Sequence, residues 1–144
     1  MVERAVSAGV TRLIAMGTDL ERSRGAVSLS NRFQEVWAGV GHYPLEPSGP
    51  DVDALRDLAA DEMVVAIGEI GLDFEHVGGP DRDVQRQRLD DMFALALELD
   101  LPVSVHNRGA DAEVADAISR HKGLRGVMHY FALDWEWAEA GLRL

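Results

Sequence analysis

Residues 66–73 read Ala66-Ile67-Gly68-Glu69-Ile70-Gly71-Leu72-Asp73, directly after the apolar residues Met63, Val64 and Val65. The run 63–67 is a buried strand by its composition. A carboxylate then stands between two glycines. An unpaired buried carboxylate is costly, so Glu69 either lies in a surface turn or faces something positive.

Working outward, short apolar runs alternate with helical patterns. Toward the N-terminus, 36–40 and 13–16 read as strands. Each is followed by a helix: one opens at Thr18 or Asp19 and runs to about Arg32, the other opens at Pro50-Asp51. Residues 2–8 read as a helix closed by Gly9. Toward the C-terminus, 71–81 reads as a long loop. Residues 84–99 carry Leu89, Met92, Phe93, Ala96 and Leu97 at helical spacing. Pro102 blocks continuation. Then come a strand at 103–105, a helix through Val114, Ala117 and Ile118, a strand at 126–128 and a closing helix with Asp134 as its cap.

Five strands with intervening helices imply a parallel sheet with right-handed crossovers. A doubly wound sheet and part of a (β/α)8 barrel both fit. A whole barrel takes about 250 residues. With 144 residues, barrel membership predicts a partial (β/α)8 barrel.

Composition narrows the function. The chain has no cysteine, which excludes disulfides, thiolate zinc sites and cysteine nucleophiles. A metal site must draw on carboxylates and the five histidines. The net charge of −11 argues against a broad basic nucleic-acid surface. It leaves open a site where bound cations meet phosphate. No apolar run approaches the ~20 residues of a membrane span, and no signal segment is visible at the start. A cytoplasmic location and no membrane partner are the expectation.

Three runs end in a metal-ligand type: Ile67-Gly68-Glu69, Val103-Ser104-Val105-His106 and Gly126-Val127-Met128-His129. Parallel α/β folds carry their sites at the C-terminal strand ends. Ser104 and His106 share a face opposite Val103 and Val105. One glutamate and two histidines suit Zn²⁺, Mn²⁺ or a related ion. A strand-end histidine is also commonly just a hydrogen-bonded polar residue. His42 is explained equally well by its proline-bounded turn, His76 by a solvated loop and His121 by a helix C-terminus. Trp135 and Trp137 read as packing residues. No P-loop or GxSxG motif is present.

AIGEIGLDF, Gln85 at a helix start, LPVSVHNRGA and GVMHYF together resemble the TatD family of metal-dependent deoxyribonucleases. These are (β/α)8 barrels of the amidohydrolase-like group. AGVTRLIAMGTDL is similar to the family's second-strand region. The resemblance covers nearly the whole chain in the family's order. It implies that Glu69 binds or bridges two divalent ions (Mg²⁺, Mn²⁺ or Zn²⁺) and that His106 and His129 hold the second. It implies phosphodiester hydrolysis, with DNA as the substrate. Arg108 would then meet substrate phosphate or make a loop salt bridge, and Asp73 would orient a ligand or cap a loop. No catalytic residue beyond these is assigned.

The chain also departs from the family pattern. The His-x-His pair of the family's first strand and the aspartate of a later strand have no counterpart here, and Tyr43 stands where a histidine is usual. Residues 1–144 are therefore expected to form a single, incomplete domain lacking the first strand and the last two. Impaired hydrolysis and self-association of an open barrel follow as expectations. A non-catalytic βα module and a related ester or amide hydrolase are the alternatives.

Overall fold

The computed structural model describes residues 1–142. The elements run α1 (Val2–Ser7), β1 (Leu13–Met16), α2 (Leu20–Ser30), β2 (Val36–Val40), α3 (Val52–Leu58), β3 (Val64–Asp73), α4 (Arg82–Glu98), β4 (Val103–Arg108), α5 (Asp111–Arg120), β5 (Gly126–Met128) and α6 (Trp135–Gly141). Asp19 caps α2 by accepting from the Arg22 N–H at 2.7 Å. Asp51 caps α3 through the Ala54 N–H. Asp134 accepts from the Trp137 N–H at the start of α6. Each carboxylate satisfies an N–H that the first helical turn leaves unpaired.

All five strands are parallel, in the order β1-β2-β3-β4-β5. That order decides between the two architectures. A doubly wound sheet reverses its strand order at a switch point. Here every crossover steps one strand in the same direction, which places the helices on one face. The result is an open half-barrel. The core lies between sheet and helices, built on Ile67, Ile70, Leu72, Leu89, Phe93 and Val105, each at most 1% exposed.

Two expectations need correction. The strand that opens at residue 64 does not stop before Glu69 but continues to Asp73, so Gly71-Leu72-Asp73 is strand and not loop. Its glycines mark a bulge and a close approach rather than a strand end. Trp135 is 74% exposed and so is not a packing residue. It lies on α6, after the edge strand β5, where no further strand stands among the described residues.

Candidate functional site

The bulge in β3 creates the site. Ile67 pairs with Val103 and Ile70 with Val105, so three steps along β3 match two along β4. Strict alternation would put Glu69 on the same face as Ile67, against the helices. The extra residue reverses the phase. Ile67, Ile70 and Leu72 stay in the core, while Glu69, Gly71 and Asp73 move to the bare face of the sheet with His106, the partner of Gly71. The bulge is anchored by the Glu69 N–H, which donates to the Gly17 carbonyl at 2.9 Å.

His106 is held between two carboxylates. Its Nδ1 lies 3.3 Å from Glu69 Oε1, and its Nε2 lies 3.4 Å from Asp73 Oδ2. The Tyr43 hydroxyl is 3.3 Å from the same Nε2. Hydrogen bonding to His106 holds the Glu69 carboxyl below its ordinary range; partial burial opposes this, and the neighbouring imidazoles of His129 and His106 add to it. Burial, followed by the charges of Asp73 and Glu69, raises the Tyr43 phenol.

Asp73 caps the loop after β3, one of the two roles its position suggested, and also faces His106. It is 2% exposed. Oδ1 accepts from the Glu75 and His76 N–H groups and so caps the loop after β3, while Oδ2 faces His106. Gln85 fixes Asp73 in turn: its Oε1 accepts from the Asp73 N–H at 2.9 Å and its Nε2 donates to the Asp73 carbonyl at 3.1 Å. Gln85 is 2% exposed; a polar residue on the apolar face of α4 was the signal in the sequence for this clamp. Arg108 reaches Glu75 at 3.1 Å and Asp73 at 4.0 Å, with its side chain 55% exposed at the rim.

His129 follows β5 directly. Its N–H donates to the Val105 carbonyl at 2.7 Å, so its backbone lies beside that of His106. Its side chain is exposed and stands outside the Glu69–His106–Asp73 contact. The structure thus brings Glu69 and His106 together and leaves His129 adjacent. His42 is buried at the end of β2, with its Nε2 lacking a hydrogen-bond partner among the described residues. His121 packs edge-on against Phe93 and contacts the Ala117 carbonyl, a structural role.

The donor set fits a divalent ion in part. Two ligands bound at about 2.1 Å stand about 3.0 Å apart in an octahedron and about 3.4 Å in a tetrahedron. The 3.3 Å between Glu69 Oε1 and His106 Nδ1 lies in that interval. Among the described residues, no group of three His, Asp or Glu side chains stands in an arrangement that could hold an ion, so the geometry offers a pair of protein ligands here and not three.

A half-barrel with a carboxylate–imidazole cluster at its C-terminal strand ends defines an α/β protein of the (β/α)8-barrel type, with its candidate site where such folds carry theirs. Comparison with known proteins makes this specific: the chain belongs to the TatD-related DNase family, whose model matches residues 1–144. It is 30% identical to the uncharacterized metal-dependent hydrolase YabD of Bacillus subtilis, over 100% of this chain and 58% of that protein. It is 37% identical to the 3'-5' ssDNA/RNA exonuclease TatD of Cronobacter sakazakii, over 78% of this chain and 43% of that one. The structure of YjjV, a TatD homolog from Escherichia coli, superposes with a TM-score of 0.90 at 31% identity, covering 98% of this chain and 56% of that one. The chain thus spans about half the length of the relatives it matches.

Proposed function

We propose that this chain carries part of the active site of a metal-dependent phosphodiesterase acting on DNA. The contact between Glu69 and His106 is the observation that supports this most, because it places an anionic oxygen and an imidazole nitrogen at the spacing of two ligands to one ion. Glu69, His106 and, once turned inward, His129 are the proposed ligands. A divalent ion supplies two effects when bound: it lowers the pKa of water and offsets charge on phosphoryl oxygens. The remaining work belongs to the chain. Asp73 and Gln85 hold His106 in place, and Arg108 at the rim is the proposed phosphate contact. The TatD exonuclease relative supports single-stranded DNA as the first substrate to try.

With few protein ligands offered, we expect slow turnover from these residues alone. The test is release of nucleotides from labelled single-stranded DNA with Mg²⁺, Mn²⁺ or Zn²⁺. Slow cleavage that depends on added ion and drops at least about 100-fold in Glu69→Gln fits the reading. Cleavage unaffected by Glu69→Gln or by a chelator contradicts it.

A further inference from the structure

The ring of His106 has to present Nδ1 to Glu69, and what fixes it comes from two strands and the loop after β2. Its backbone is set in β4 between β3 and β5. Asp73 on β3 is already committed, since Oδ1 serves two loop N–H groups and only Oδ2 is left for Nε2. The third contact comes from beyond β2. Tyr43 crosses the bare face of β3 to bring its hydroxyl 3.3 Å from Nε2. Its ring meets the imidazole edge-on, with centroids 4.9 Å apart at 64°.

Beside it, β3 and the segments flanking it approach closely at glycines. A Cβ at Gly41 would stand 2.5 Å from the Gly68 carbonyl carbon, and one at Gly68 would stand 2.8 Å from Ser104 Cβ. The Tyr43 backbone is itself pinned: its N–H donates to the Thr18 carbonyl at 2.8 Å and its carbonyl accepts from the Glu46 N–H at 3.1 Å.

We propose that Tyr43 is a positioning residue for His106, holding Nε2 through its hydroxyl so that Nδ1 faces Glu69 with or without a bound cation. The hydroxyl suits this because it both donates and accepts, whereas the Asp73 carboxylate only accepts. When Nδ1 carries the proton and donates a hydrogen bond to Glu69, Nε2 is bare and the phenol donates to it. When Nδ1 serves as a ligand, Nε2 carries the proton and the phenol oxygen, with Asp73, accepts it. One side chain therefore keeps the ring in one place in both states. The inference rests on the metal reading proposed above.

Tyr43→Phe keeps the ring and removes only the hydroxyl. Two measurements on the 144-residue chain test its effect. The first is the ¹⁵N resonance of His106 Nε2 without added metal, with dispersion of the amide resonances reporting the fold in the same sample. The second is calorimetric titration with Zn²⁺. The proposal expects the Nε2 resonance to move while the amide spectrum stays dispersed, and Zn²⁺ affinity to fall about 10-fold. An unmoved Nε2 resonance overturns it. So does a moved resonance with Zn²⁺ affinity unchanged. No Zn²⁺ uptake by the unaltered chain would instead sink the metal reading, and the Nε2 comparison would still decide whether Tyr43 holds the ring.

Discussion

His42 lies buried at the end of β2 with the half-buried Arg88 nearby, so charging it means placing a cation out of water and close to another positive charge. Burial first, and Arg88 second, hold its pKa below the ordinary imidazole value. The unfolded chain therefore takes up this proton at higher pH than the folded one. The stability that His42 contributes as a neutral group is fully present above about pH 6.5 and is lost as pH falls through its lowered folded value. Melting temperatures measured from pH 8 to pH 5 should fall toward acid, and His42→Gln should flatten that slope; an identical slope in the variant would refute the assignment. Gln85 makes a second prediction. Gln85→Ala strands the buried N–H and carbonyl of Asp73, so urea denaturation should show a loss of about 2 kcal/mol or more. The sequence displayed Glu69 and His106 as ligand types. It marked Gln85 as a polar residue on the apolar face of α4 but not its partner Asp73, because side-chain bonds to a distant backbone leave no periodic trace.

At the scale of the element, β3 decides the site. Alternation alone places Glu69 with Ile67 on the core face, and a glycine on either side reads as the end of a strand. Neither pattern reports a bulge, since its extra residue is defined only against the partner strand. Strand order and helix positions were legible because apolar periodicity and caps such as Asp19 and Asp51 are local. Gly71 tests the pairing of β3 with β4. Its φ of +147° disfavours other residues, and a Cβ there would stand 2.0 Å from the His106 carbonyl oxygen. Gly71→Ala should cost at least about 2 kcal/mol in chemical denaturation and disperse the His106 contacts. A variant as stable as the parent would show that the two strands approach less closely than described.

For the whole molecule, the sheet ends in two edges with apolar residues in water: Ile14 on β1 is 55% exposed and Val127 on β5 is 63% exposed. Unpaired edges of this kind invite association. We propose that the chain self-associates through them. Sedimentation velocity should show species above the 15.8 kDa monomer that grow with concentration, and Val127→Lys should shift them toward monomer. A monomer at every concentration contradicts this. Strand and helix alternation left a doubly wound sheet and a partial barrel both open; the family resemblance pointed to the barrel, and the strand order observed agrees with it. The account as a whole rests on Glu69 and His106 sharing a cation, and anomalous diffraction from crystals soaked in Zn²⁺ tests this most directly. The account predicts a peak about 2.0–2.2 Å from both Glu69 Oε1 and His106 Nδ1; a map with no peak between these two atoms would contradict it.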